Sequence, residues 1–305
     1  MAAEARIRAS ESGGPALVPR TIDLFGGKAQ LLPLRLFELK NLKLENRSRN
    51  EAQIRALCGN AYLGDDRLLC RVLGRYKMFV DSRDIGLSSH LLLDGYWEMW
   101  LTEALAQVIK PGMLALDIGA NLGYFTMVMA DLVGPTGAVH AFEPNGRLVE
   151  RLEQSITVNG FHAQAQVHAQ ALSDQEGSFR LVVPDGEPKN GYLLPASEGE
   201  VGLQTRRLDS YADLLDADVI KIDADTSEWS IWRGMAGVLA RHRPITIFLE
   251  FAAARYADPA AFLDEILSHD LELKLVDFER GVIPITRSEI LASSDGLDIM
   301  LVLSR

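Results

Sequence analysis

The sequence predicts a doubly wound α/β fold, a mostly parallel sheet flanked by helices, preceded by a helical N-terminal extension. Three observations carry this. From about Leu91 onward, short apolar runs alternate with longer amphipathic ones. Glycine, proline or an Asn-Gly pair punctuates almost every run. At the C-terminus the alternation lapses. "LELKLVDFERGVIPI" and "LDIMLVL" have no convincing helix between them, so the last strand is expected to return antiparallel.

In chain order, residues 1–20 ("MAAEARIRASESGGPALVPR") read as a flexible leader that lacks the apolar core of a signal peptide. Residues 21–90 are expected to form an extension for docking or dimerisation. There, "LENRSRNEAQIRALCGNAY" sets Ile54, Leu57 and Cys58 at helical spacing. "DDRLLCRVLGRY" offers a second short apolar face, and "KMFVD" a short strand. The main domain is expected over 91–305. "DGYWEMWLTEALAQVIKPG" is helix-like and stops at Pro111–Gly112. "MLALDIG" is a buried strand, followed by the helix "GYFTMVMADLVG", the strand "GAVHAFEP" and the helix "GRLVERLEQSITVNGF". "AQVHAQAL" is a further strand, and "GSFRLVVP" fits an edge hairpin. Then come the strand "ADVIKIDAD", the helix "SEWSIWRGMAGVLARH", the strand "PITIFLEF", the helix "DPAAFLDEILSHD" and the two closing strands.

Composition narrows the function. The chain is 48% apolar and 24% charged, an ordinary globular mixture. No apolar run approaches the ~18 residues of a membrane span. Two cysteines, Cys58 and Cys70, have no metal-ligand partners at useful spacing, so a reduced cytoplasmic setting is expected. A net charge of −11 argues against nucleic acid as a main partner. Residues 1–80 nevertheless carry 14 basic and 8 acidic side chains, against 17 and 34 in the remainder. That asymmetry fits a basic extension lying on an acidic body or on a sister subunit, hence a homodimer.

In a sheet of this kind ligands bind at the carboxyl ends of the strands, near the point where strand order reverses. The residues ending "LALDIG", "VHAFEP", "VIKIDAD" and "TIFLEF" therefore carry the chemistry. "DIGANLG" supplies Gly119 and Gly123, but Asn121 stands where a dinucleotide fingerprint needs its second glycine. No Gly-Lys-Ser/Thr follows, so the Walker pattern is absent too. Asp117 would repel a pyrophosphate and suits a cationic ligand instead. Glu143, ending the next strand, is placed to hold two ribose hydroxyls. Together they favour S-adenosylmethionine over NAD. A capping or turn role for either carboxylate is the plainer alternative.

"GYWEMWLTEALAQVIKPGMLALDIGANLGYFTMVMA", "VHAFEPN", "ALSDQEGSF" and "ADVIKIDADTSEWSIWRGM" resemble the FkbM family of S-adenosylmethionine-dependent methyltransferases. The resemblance runs from about Leu91 to the end. It implies the class I methyltransferase fold, a seven-stranded sheet with an antiparallel last strand, and methyl transfer to hydroxyl oxygens of sugars, glycolipids or polyketides. It also implies that Asp117, Gly119, Asn121 and Gly123 line the methionine end of the cofactor and that Glu143, with Pro144 beside it, holds the ribose. Ala171, Leu172 and Ser173 would border the adenine, and Glu98 would lie near the cofactor. S-adenosylhomocysteine would be the product.

One departure stands out. Family members usually read "KIDVEGAE" where this chain reads "KIDADTSE", so Asp225 replaces a glutamate and Thr226 a glycine. The shorter carboxylate and the stiffer backbone imply a different acceptor seat, or a cofactor-binding partner protein with little turnover. Asp223 is the first expectation for acceptor orientation or general base, and Glu250 the second. Asp223, Asp225 and Glu250 could also gather a divalent cation such as Mg²⁺, although no histidine joins them. Asn190–Gly191–Tyr192, in the turn-rich stretch 183–202, are expected to face a small-molecule or saccharide acceptor. Trp229 and Trp232 read as core, and His90 and His242 as structural. An NAD-dependent dehydrogenase is the remaining alternative.

Overall fold

The computed structural model describes residues 20–24, 27–31, 36–182, 192–195, 202–292 and 298–305. Chain contacts divide it into two compact units, Met1–Leu36 and Phe37–Arg305. In the first, β1 (Arg20–Leu24) pairs antiparallel with β2 (Gly27–Leu31). The candidate chemistry lies wholly in the second.

That unit begins with α1 (Arg47–Leu57), then β3 (Asn60–Gly64), β4 (Arg67–Val72) and β5 (Tyr76–Asp81). The last three form an antiparallel sheet. Here the structure corrects the sequence reading, for "DDRLLCRVLGRY" holds β4 rather than a helical face. Leu73 and Gly74 both take positive φ and close a tight turn in which the Arg75 N–H donates to the Val72 carbonyl at 3.0 Å. The period-two burial of Tyr76, Met78 and Val80 follows from that pairing. The sheet is tied to the body by side chains from one helix. The Arg147 guanidinium pairs with Asp81, and Ser155 Oγ accepts the Phe79 N–H at 3.0 Å.

The remaining elements are α2 (Leu87–Leu93), α3 (Met99–Val108), β6 (Leu114–Ile118), α4 (Tyr124–Val133), β7 (Ala138–Phe142), α5 (Gly146–Asn159), β8 (Ala165–His168), β9 (Ala171–Leu172), β10 (Gly177–Val182), β11 (Tyr192–Pro195), β12 (Leu203–Arg206), β13 (Val219–Ile222), α6 (Glu228–Gly234), α7 (Ala236–Leu239), β14 (Thr246–Phe251), α8 (Pro259–Leu267), β15 (Glu272–Asp277), β16 (Gly281–Pro284), α9 (Arg287–Ala292) and β17 (Ile299–Ser304). The main sheet runs β16-β15-β17-β14-β13-β6-β7-β8. β13, β14, β6, β7 and β8 are parallel, and β17 returns antiparallel beside β14. This is the class I methyltransferase order with one strand added, because "GVIP" folds back on β15 as an edge.

Two details depart from the sequence reading. A short helix, α9, does separate the C-terminal strands. The hairpin expected at "GSFRLVVP" forms, with β10 paired antiparallel to β11 at the edge of a separate four-stranded sheet. The helix after β13 breaks at Met235, because Gly234 packs on the Ser173 carbonyl so closely that a Cβ would stand 2.1 Å from it.

Strand order reverses between β6 and β13, and two backbone features bring their ends together. A Cβ on Gly119 would lie 1.8 Å from the Asp223 carbonyl oxygen, so only glycine lets these chains touch. The loop after β13 turns through two non-glycine residues of positive φ, Asp225 at 45° and Thr226 at 82°. Thr226 stands where the family pattern has glycine, and it keeps a glycine-type backbone while carrying a branched Cβ. Left-handed backbone costs an L-residue roughly 1–2 kcal/mol. Part of that returns as lost chain entropy when glycine is introduced. Thr226→Gly should therefore stabilise the protein by about 0.5–1 kcal/mol in urea unfolding. A destabilised variant would mean that the threonine side chain anchors the loop.

Candidate active site

A cavity of ≈310 Å3 opens over the ends of β6, β7, β13 and β14. On one side the turn after β6 folds back on β7, with the Gly119 and Ala120 N–H groups both donating to the Phe142 carbonyl at 3.0 Å. Glu143, next in the chain, is only 6% exposed. One of its oxygens accepts the Asn121 N–H at 2.9 Å and the other the Asn145 N–H at 2.8 Å. Burial pushes this carboxyl up to about 7, against the pull of those two amides. Each carboxylate oxygen has capacity for a second donor, which is what a vicinal diol offers.

The floor is built from charges. Lys221, on the otherwise apolar strand β13, lines the cavity although it is 1% exposed. Its Nζ lies 3.1 Å from Asp223 Oδ2 and 3.6 Å from Asp117 Oδ1, and 5.0 Å above the Phe125 ring. Burial opposes this ammonium, but Asp223 and Asp117 more than offset it and raise its pKa. Asp117 itself is fully buried and takes a 2.6 Å hydrogen bond from the Thr126 hydroxyl.

At the opposite end stand Asp223, Asp225, Glu250 and Asp298, the last three gathered round one guanidinium. Arg255 Nη1 is 3.6 Å from Glu250 and 3.9 Å from Asp225, and Nη2 pairs with Asp298. Burial, then Asp223 and Glu228, push Glu250 up to about 9. Buried Glu228 clamps the loop from behind, accepting the Ala224 N–H at 2.9 Å and the Tyr256 hydroxyl at 3.1 Å.

Of the residues named from sequence, Glu98, Gly119, Asn121, Glu143, Pro144, Ala171, Leu172, Asp223, Asp225 and Glu250 line this one cavity. Glu98 does so from left-handed backbone (φ 34°) immediately before α3. Three stand back from the wall. Asp117 lies beneath the floor. Gly123 caps α4, where a Cβ would meet the Leu152 side chain at 2.1 Å. Ser173 turns its hydroxyl to Asp174 at 3.1 Å. Asn190 and Gly191 fall outside the described residues, as does the Tyr192 side chain, though Tyr192 opens β11. The suggested cation site has a physical objection, since Arg255 already stands among Asp225 and Glu250. Among the described residues no group of carboxylates, histidines or cysteines is arranged to hold a metal. His90 packs tilted against Trp97 at 5.0 Å, while Trp229 stacks on Phe262 at 5.3 Å and Trp232 is buried.

Sequence reasoning missed Lys221, Arg255 and Asp298. Lys221 had a signal, a lone charge inside the apolar run "VIKI". Arg255 and Asp298 had none, for they meet only because β14 and β17 are sheet neighbours.

The titration of Glu143 has a sign. A carboxyl raised from its usual 4.5 to about 7 contributes stability present in full below pH 4.5 and lost as pH rises through 7. His140 and His168, lowered by burial, run the opposite way, so the native melting curve mixes both trends. The difference between proteins isolates one of them. Glu143→Gln should gain on the native protein in thermal stability as pH rises from about 5 to 8. A difference that stays flat across that range would contradict the assignment.

A family model for the methyltransferase FkbM domain matches residues 117–275. Among curated proteins, the protein-L-isoaspartate O-methyltransferase of Methanothermobacter thermautotrophicus is 30% identical over 83 residues, covering 26% of this chain and 38% of that protein. That of Triticum aestivum is 31% identical over 99 residues, covering 32% and 42%. The chain thus spans less than half the length of these relatives. Among solved structures, the methyltransferase FkbM of Methylobacillus flagellatus aligns with TM-score 0.41 and 15% identity over 67% of this chain and 53% of that one. A putative rRNA methylase from Clostridium thermocellum aligns with TM-score 0.45 and 9% identity over 67% and 92%. The family match takes in the glycine turn, Glu143, Lys221, Asp223 and Glu250, which line the cavity, and Asp117 beneath them. This chain belongs to the FkbM methyltransferase-domain family.

Proposed function

We propose that the protein methylates a hydroxyl oxygen of a saccharide, glycolipid or polyketide-like natural product, with S-adenosylhomocysteine as product. The observation that carries this reading is the buried Glu143, fixed by two backbone amides at the mouth of a cavity whose floor holds carboxylates. Such a wall suits a ribose diol joined to a cationic group and repels a pyrophosphate. When bound, S-adenosylmethionine supplies an electrophilic methyl group. Glu143, Asn121 and Pro144 would hold the ribose, Ala171 and Leu172 the adenine edge, and Glu98 with the floor the methionine end.

The acceptor end divides two roles. Near neutral pH Glu250 keeps its proton, raised to about 9, and so is suited to donate to the acceptor oxygen. Asp223, 31% exposed and held by Lys221, is the better group to receive the hydroxyl proton. The stretch carrying Asn190 and Tyr192 supplies acceptor contacts in this proposal. A cofactor-binding partner protein with little turnover is the second reading, favoured by Arg255 standing among the acceptor-end carboxylates. Two unpaired cysteines, Cys58 and Cys70, support a cytoplasmic setting. Among the described residues no helix is long and apolar enough to cross a membrane.

The test begins with thermal stability. S-adenosylmethionine and S-adenosylhomocysteine at about 100 times Kd should each stabilise by about 2.7 kcal/mol, a shift of a few degrees, and NADH should do nothing. Glu143→Ala should abolish both shifts. On a panel of hydroxyl acceptors, Asp223→Asn should lower turnover by about 10²–10⁴-fold with cofactor binding retained. Binding without turnover on any acceptor would favour the partner-protein reading.

We further propose that residues 21–90 serve as the dimer surface. The edge strand β3 exposes Tyr62 (63%) and Leu63 (46%), which supports this. Replacing both with aspartate should halve the mass seen by light scattering. A native protein that already runs as a monomer would end the idea.

A further inference from the structure

Beyond holding Asp223, Lys221 occupies the centre of the site and touches Asp117 as well. It is paired in register with Asp117 on the neighbouring strand, so the sheet itself sets its ammonium beside that carboxylate. Thr126 fixes Asp117 from below, and Asp223 meets the same ammonium from the cavity side. A line of contacts therefore runs from α4 through β6 and β13 to the cavity. Arginine would bring a larger fork, and a neutral side chain would leave two carboxylates facing each other across the floor.

We propose that Lys221 is a positioning and charge-balancing residue for the methyl donor: it holds Asp117 and Asp223 in place and cancels one of their two charges. This rests on the S-adenosylmethionine reading of the cavity. The donor is a sulfonium and the product a thioether, so one positive charge leaves the site on transfer. A floor with two uncompensated carboxylates would hold the donor far more tightly than the product. That is ground-state binding, which slows the chemical step rather than speeding it. With Lys221 present the trio keeps one net negative charge, enough to favour the donor without trapping it.

The measurement is calorimetric affinity for S-adenosylmethionine and for S-adenosylhomocysteine, in native protein, Lys221→Met and Lys221→Arg. Thermal melting reports that each variant is folded. In Lys221→Met the ratio of the two affinities should move about fivefold or more toward S-adenosylmethionine. Lys221→Arg should keep the native ratio within about twofold. Asp223→Asn, which removes a negative charge instead, should move the ratio toward S-adenosylhomocysteine and decides the matter if Lys221→Met does not fold. A merely structural lysine would lower both affinities together and leave the ratio in place, which overturns the inference while the cofactor reading stands. Native protein that binds neither compound overturns both.

Discussion

A fully buried ammonium is tolerated only with opposite charge at contact distance, and the site is arranged around that requirement. Lys221 sits in the middle of β13, where each neighbouring residue is apolar and the strand is covered on both faces. Removing such an ion from water costs several kcal/mol unless partners replace the lost solvation. Asp117 and Asp223 are those partners, one on each side of the floor. The pairing fixes the register of β6 against β13, and with it the approach of Gly119 to the Asp223 carbonyl. The turn that carries Asn121 and Glu143's amide donor follows from that approach. Geometry at Glu143 and charge at Asp223 are thus set by the same contact.

This arrangement changes the meaning of Asp117. The sequence marks it as a carboxylate aimed at a cationic ligand, and the sign of that reasoning is sound. The cation it meets in the structure is the protein's own. Toward the cavity its charge is screened by Lys221. A strand-end aspartate read from sequence alone cannot be told apart from one that stands a layer deeper, because both precede the same glycine turn.

Much of the fold was legible because it rests on local patterns. Strand and helix lengths, the glycine turn at 119–123 and the antiparallel return of β17 all follow from periodicity and punctuation within a few residues. The errors fall where a long-range partner decides. β4 reads as a helical face until its pairing with β5 is known, and the helix after β13 reads as continuous until Gly234 meets Ser173. The same division holds in the site. Glu143 and Asp223 follow strand ends and could be found, whereas Arg255 and Asp298 converge from the segments after β14 and before β17. Thr226 belongs to both classes: the sequence shows the lost glycine, and only the backbone shows that the glycine conformation was kept.

The end of the cavity beyond Lys221 then becomes a problem in charge. Asp223 meets Lys221, and three further carboxylates, Asp225, Glu250 and Asp298, surround one guanidinium. Two devices reduce their mutual repulsion: burial raises the proton affinity of Glu250, and Arg255 stands among Asp225, Glu250 and Asp298. An acceptor that carried a phosphate or carboxylate would have to bring its charge into this ring and break the Arg255 bridges as it entered. The neutral hydroxyl acceptor proposed above asks for neither, since its hydroxyls can donate to the carboxylates while Arg255 remains in place. The shorter side chain at Asp225 matters for the same reason. A glutamate there would reach about one methylene further toward Arg255 and narrow the mouth, whereas aspartate leaves room beside the guanidinium for a hydroxyl-bearing ring.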